Sequence, residues 1–262
     1  MTPTKVTTMM ITTTMTKNRR QGKELAKALL GIVVAFAAFI AICAILLPHE
    51  MQRSTSKPTG GRMAVPLVVT TEAEGDINVL GIDWEYWQAI NPDIVGWITI
   101  PNTPIDYPIV QASVNAPTRY LDYDAYGKYN FYGCLYVDAG CTIASPNVII
   151  FGHNMRDSQG SMFTALTHYL DGHYLEAHPD VIIQTPEKVS VLKIRAAKNV
   201  SPYGYEKRIE FDSNGKLQEY YLELWESASS RCAFPDERGV EQLFTLVTCN
   251  KGGTVRTVVY VA

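Results

Sequence analysis

One block governs what this chain can become. Ala28–Leu47 holds 19 hydrophobic residues in 20 positions, Gly31 being the exception, and it carries no charge. Twenty helical residues span about 30 Å, the thickness of a bilayer's hydrocarbon core. A soluble helix with no polar face would need protein on every side. A cleaved signal peptide is the rival reading, but its apolar core runs about 7–15 residues and ends at a small-x-small site. Here the run is longer and ends in Leu46-Leu47-Pro48-His49-Glu50. The block therefore reads as an uncleaved anchor through the lipid bilayer. Lys17, Arg19, Arg20, Lys23 and Lys27 precede it against one acid, Glu24, whereas Arg53, Lys57 and Arg62 follow it more sparsely. The positive-inside rule then predicts a single-pass protein of the cell membrane, with its N-terminus in the cytoplasm and everything after Pro48 outside the cell.

Four segments follow from this. Residues 1–27 form a cytoplasmic tail, Thr- and Met-rich up to Thr16. Residues 28–47 are the transmembrane signal anchor. Residues 48–75 contain Ser54, Thr55, Ser56, Pro58, Gly60 and Gly61 and read as an extracellular stalk. Residues 76–262 make one folded domain, long enough for a sizeable core. Hydrophobic residues are 47% of the 262, and their share is ordinary once the anchor is set aside, so neither a multi-span membrane protein nor a disordered chain fits. A net charge of −3 gives no basic field to recruit nucleic acid. Five cysteines are too few for a disulfide-built scaffold.

The folded part starts with a helical pattern. Ile77, Leu80, Trp84 and Trp87 recur at steps of three and four, Asp76 is a candidate N-cap, and Asn91-Pro92 stops the run. Short β-rich runs bounded by Pro, Gly, Asn and Asp then take over at Gly96–Ile100, Ile105–Val110, Gly133–Val137 and Asn147–Phe151. More lie at Val181–Gln184, Val189–Ala196, Leu243–Thr248 and Thr254–Val261. Two helices interrupt them, Met162–Leu170 and Leu217–Ser229. About eight strands with few helices predict a mainly β fold, a closed eight-stranded barrel with helical decoration.

Chemistry has few places to sit. Cys43 falls in the anchor, and Cys134, Cys141, Cys232 and Cys249 follow it. Four exported cysteines allow three pairings into two disulfides, and Cys134 and Cys141 are near enough in sequence to bridge a turn. Cys249 is set apart by its place: it closes the apolar strand Leu243–Thr248 and opens the polar turn Asn250-Lys251-Gly252-Gly253. A thiol at a strand mouth is held yet reachable, as a nucleophile must be; the plainer reading is a small apolar strand-end residue. His153 also ends a strand, in Phe151-Gly152-His153. His168, His173 and His178 recur every five residues and share no helix face, and neither H-E-x-x-H nor C-x-x-C is present, so no zinc site is indicated. Asp122-Tyr123-Asp124 opens like a calcium loop, but Gly133 stands where that loop needs Glu. Arg256 comes seven residues after Cys249, on the next strand, where a hairpin would bring the two together.

With these residues in view, the chain resembles a sortase of class B, a family of cysteine transpeptidases of Gram-positive bacteria. The family's T-L-x-T-C strand is matched by Thr245-Leu246-Val247-Thr248-Cys249, its Y/F-G-H turn by Phe151-Gly152-His153, and its terminal Arg strand by Arg256–Ala262. Asn91–Ile98, Ile105–Gln111 and Gly160–Phe163 are similar to family segments as well. The resemblance implies a sortase-type barrel with an N-terminal helix and a helix, Leu217–Ser229, inserted before the Cys strand. It implies Cys249 as nucleophile, His153 as proton donor and acceptor, and Arg256 as holder of substrate carbonyls or of the developing oxyanion. It further suggests substrate-groove roles for Asn115, Leu121, Ser201, Tyr205 and Thr248. The implied partners are surface proteins bearing a C-terminal sorting signal, with a peptidoglycan cross-bridge amine or a pilin Lys as acceptor; no metal or organic cofactor is implied. An anchored barrel that binds peptides without catalysis, and a thiol endopeptidase that hydrolyses, are the competing expectations.

Overall fold

Every run that the sequence marks as β is a strand, and the strands close on themselves. The computed structural model describes residues 79–202, 207–235, 239–250 and 253–262, with the backbone alone at 249 and 250. The tail, anchor and stalk expected over residues 1–75, the Asp76 cap, Ile77 and Tyr205 lie outside the described residues. Among the described residues no helix is long and apolar enough to cross a membrane. In chain order the strands are β1 (Ile94–Thr99), β2 (Asp106–Gln111), β3 (Leu135–Val137), β4 (Asn147–Gly152), β5 (Asp180–Gln184), β6 (Val189–Val200), β7 (Ser230–Arg231), β8 (Leu243–Asn250) and β9 (Val255–Val261). Neighbours run β5-β1-β2-β3-β4-β8-β9-β6, and the first half of β6 pairs back onto β5, which seals an eight-stranded barrel. β7 is a two-residue addition against Ala196 and Ala197 of β6 that the sequence did not announce. Closure leaves the barrel without a long exposed edge.

The buried apolar residues sort into two clusters. Ile98, Tyr107, Leu135, Val148, Ile150, Leu246 and Val259 belong to the larger cluster, with the helices packed on it. Trp87, Trp97, Val110, Tyr120, Cys134 and Tyr136 make a second cluster with Leu80 and Ile82. The first helix, α1 (Trp84–Ile90), supplies Trp87, whose ring lies 5.6 Å from that of Trp97 and 5.3 Å from that of Tyr126. The helix is shorter than its periodicity suggests. Gly81 has φ +63°, outside the helical region, so the helix starts only after Asp83, whose side chain accepts from the Tyr86 N–H. Leu80 is buried all the same, from a turn rather than from a helix face.

The segment read as a Met162–Leu170 helix is a 3-10 helix over Thr164–Leu170. Met162 at φ +55° delays its start. Asp171 then caps α2 (Gly172–Ala177), a helix absent from the sequence reading. The later helix, α3 (Asn214–Glu226), begins three residues before the expected Leu217, because the Ser213 hydroxyl accepts from the Lys216 N–H and sets the cap there. Its buried stripe is Leu217, Tyr221 and Leu224. Cys134 and Cys141 are free thiols, not a bridge: Cys134 packs in the second cluster with its Sγ against the Pro108 carbonyl, and Cys141 packs in the larger one, where its Sγ accepts from the Ile149 N–H. Cys232 is free as well.

Two buried tyrosines tie the loops to the barrel. The Tyr107 hydroxyl accepts from the Met162 N–H at 2.9 Å, and the Tyr120 hydroxyl donates to Asp93 Oδ2 at 2.6 Å. Burial pushes both phenols up to about 12, helped at Tyr120 by the bond to Asp93. The folded state therefore holds these protons more tightly than the unfolded chain, whose tyrosines titrate near about 10. Stability from this source is complete below about pH 10 and is lost as pH rises through 12. Denaturant midpoints measured between neutral pH and pH 12 should fall above about pH 10, and Tyr120→Phe should make that fall shallower.

Candidate active site

The site is built by two ladders of opposite sense. β4 and β8 run parallel, in register from Asn147↔Leu243 to Gly152↔Thr248. One residue further along each strand stand His153 and Cys249. β8 and β9 run antiparallel, with Cys249 and Arg256 as register partners. The same end of the barrel thus carries His153, Cys249 and Arg256 on three adjacent strands. Arg256 is paired on its other side with Val200 of β6.

Packing explains why a glycine precedes the histidine. A Cβ at position 152 would meet Leu135 Cδ2 and would stand 2.7 Å from Phe163 Cδ2 and 2.8 Å from Phe163 Cγ. Only glycine lets β4 pass between those two buried side chains and deliver His153 to the strand end. Beyond it the Phe163 N–H donates to the His153 carbonyl at 2.9 Å, which folds the following loop back on the strand. The imidazole is half-buried, and its Nε2 lies 2.7 Å from the Leu121 carbonyl oxygen.

Arg256 rests on an aromatic floor. Its guanidinium carbon is 5.6 Å from the centre of the Phe151 ring, and that ring stacks on Tyr136 at 5.5 Å. Lys207 Nζ lies 5.1 Å from the same ring and forms an ion pair with Asp138. Phe151 is therefore faced by two cations, an arrangement a ring quadrupole favours. Arg256 Nε is buried and has no hydrogen-bond partner among the described residues. The Thr248 hydroxyl is in the same position, on a side chain that is 1% exposed.

Of the groove residues suggested by resemblance, Leu121 comes against His153 through its carbonyl. Ser201 is exposed and directly follows Val200, the register partner of Arg256. Asn115 is exposed on the loop that carries Leu121, with its N–H on Ser113 Oγ at 3.3 Å. Thr248 is buried in the strand. Burial drives the Cys134 thiol well above the ordinary cysteine range and raises that of Cys141, which makes them poor nucleophiles. His178 stacks on Tyr174 at 4.2 Å, and His168 lies 5.2 Å from the same ring, so both pack on α2. Sequence reasoning left out Lys207 and the floor role of Phe151. An aromatic two residues before the His was the available signal for the latter; nothing local pointed to Lys207.

Comparison with known proteins gives the family and the fold. The sortase domain family matches residues 98–262. Sortase B of Listeria monocytogenes is 33% identical over 165 residues, which are 62% of this chain and 65% of that protein. A Staphylococcus aureus sortase B–substrate complex superimposes with a TM-score of 0.60 at 24% identity, covering 68% of this chain and 82% of the other. A sortase B complexed with triglycine gives the same TM-score and identity, covering 68% and 83%.

The packing at position 152 leads to a direct expectation. Gly152→Ala should destabilise the domain by about 1–3 kcal/mol, the range for overfilling a core, read as a lower denaturant midpoint. Gly172→Ala, where the nearest atom to a new Cβ is Ser230 Oγ at 3.9 Å, should not.

Proposed function

Since the chain belongs to the sortase family, with class B relatives, we propose that it is a cysteine transpeptidase acting on exported proteins. The observation that carries this reading is the strand register: parallel β4–β8 and antiparallel β8–β9 ladders end in His153, Cys249 and Arg256. Cys249 acts as a thiolate, favoured by the imidazolium of His153. It attacks the carbonyl after the Thr of a C-terminal sorting motif, and Arg256 holds the developing oxyanion with its planar fork of donors. The C–N bond breaks, and the leaving amine takes its proton from His153. A thioester on Cys249 remains. An acceptor amine then attacks the thioester, gives its proton to His153 and releases the thiolate. The substrate and triglycine complexes of the two similar structures support a peptide donor and an amine acceptor of this kind. In the cell the acceptor is a peptidoglycan cross-bridge amine or a pilin Lys.

The anchor completes this reading. Residues 28–47 tether the domain to the outer face of the membrane, where sorting signal and wall precursor are both presented, and tethering raises their effective concentration. Deleting residues 1–47 should move the protein from the membrane to the soluble fraction of a lysate.

A peptide library incubated with the full chain tests the chemistry. The wild type should cleave one motif, carry the acyl fragment on Cys249 by mass spectrometry, and pass it to added triglycine. Cys249→Ala should show neither event while its circular dichroism is unchanged; undiminished cleavage by that variant would end the proposal. Arg256→Lys keeps the charge but loses the fork, and should lower kcat roughly 100-fold. Tight peptide binding with no adduct would favour a binding module, and hydrolysis unaffected by the amine an endopeptidase.

A further inference from the structure

The chemistry just proposed needs one proton of His153 in a fixed place, and the inference here rests on that reading. A carbonyl oxygen only accepts, so the 2.7 Å contact with the Leu121 carbonyl requires the hydrogen on Nε2. Nδ1 is then the nitrogen left to give and take a proton. How firmly that tautomer is held depends on what holds Leu121.

Leu121 ends a 3-10 turn, Arg119–Leu121, in a loop braced by its own polar groups. Asp124 is 4% exposed, and its Oδ1 accepts from the N–H groups of Tyr126 and Lys128 at 3.0 Å. The Asn130 N–H donates to the Asp122 carbonyl at 2.8 Å, and the Cys134 N–H donates to the Tyr120 carbonyl at 2.9 Å. These bonds bring the outgoing strand of the loop against its incoming turn, and Gly133 lies at the crossing. Its φ is +61°. A Cβ there would stand 2.5 Å from the Tyr120 oxygen and 2.6 Å from the Leu121 oxygen. The second of these is the oxygen that meets His153. Any side chain at 133 forces that carbonyl, or the backbone beside it, to shift from the place where it meets the imidazole.

We propose that Gly133 is a positioning residue for His153: by having no side chain it lets the Leu121 carbonyl fix the hydrogen on Nε2, leaving Nδ1 to serve the nucleophile and the leaving amine. Gly127 supplies the control. It lies in the same loop at φ +71°, and a Cβ there would meet nothing within 4 Å. Replacing it imposes the same backbone strain without crowding Leu121.

The test reads the ring nitrogens directly, by long-range proton–nitrogen NMR on histidine-labelled protein at a pH where His153 is neutral. The wild type should carry its hydrogen on Nε2; a hydrogen on Nδ1 overturns the proposal. Gly133→Ala should mix the tautomers and lower kcat roughly 10- to 100-fold with KM little changed, the scale of a small misplacement of a reacting group. Gly127→Ala should retain the wild-type spectrum and turnover. A folded Gly133→Ala with wild-type spectrum and kcat, or an equal loss in Gly127→Ala, refutes the role of Gly133. Should Gly133→Ala not fold, the wild-type spectrum still decides the tautomer, a folded Gly127→Ala with wild-type turnover supports the crowding at 133, and a Gly127→Ala that also fails to fold refutes the role of Gly133. The tautomer is read without substrate, so failure of the transpeptidase reading would be seen separately, as wild-type protein with no turnover.

Discussion

The parallel ladder between β4 and β8 is the contact on which the rest depends. Its members, Asn147 to Gly152 and Leu243 to Thr248, are far apart in sequence, and each residue on either strand is buried except Phe151. Parallel strands cannot be joined by a tight turn, so the intervening chain has to travel around the barrel and return. It does so through β5, β6, β7, a 3-10 helix and two α-helices. At the start of the ladder the Thr245 hydroxyl donates to Asn147 Oδ1 at 2.8 Å, a buried polar pair that fixes the register. Because side chains alternate along a strand, a slip of one residue would send the Phe151 ring to the other face of the wall and separate it from Arg256. The register is thus a structural and a chemical specification at once.

The second determinant is close packing beside the strand ends. Gly152 and Gly133 are required for opposite reasons. At 152 a side chain would strike apolar groups, Leu135 and Phe163; at 133 it would strike carbonyl oxygens. One passes a strand through the core, and the other presses a loop against the turn that meets His153. Neither glycine touches a reacting group, yet each constrains where the imidazole stands.

Much of this was legible in the sequence, and the parts that were not have physical causes. Strands were read at all eight barrel positions because apolar runs bounded by Pro, Gly and Asn leave few alternatives. The helix boundaries were less faithful. The spacing of Leu80, Trp84 and Trp87 continues smoothly across Gly81, so periodicity could not report that the backbone leaves the helical region there. Met162, also in the left-handed region, had the same effect on the segment after it. The unbridged state of Cys134 and Cys141 follows from their packing into different clusters, and proximity in sequence does not encode that. At the site, His153, Cys249 and Arg256 stood out through their strand-end contexts. Gly133, Lys207 and the Leu121 carbonyl act through contacts across space and left no local pattern.

The position of β9 has a consequence for how such a molecule comes into being. It follows every other strand in sequence, yet it lies between β8 and β6, so the seam of the barrel stays open until it arrives. A partly synthesised chain therefore offers two unmatched edges, those of β8 and β6. Unmatched edges invite pairing with other chains, and a quality-control protease would find its substrate there. The last insertion shuts the wall and brings Arg256 into register with Cys249 in a single event.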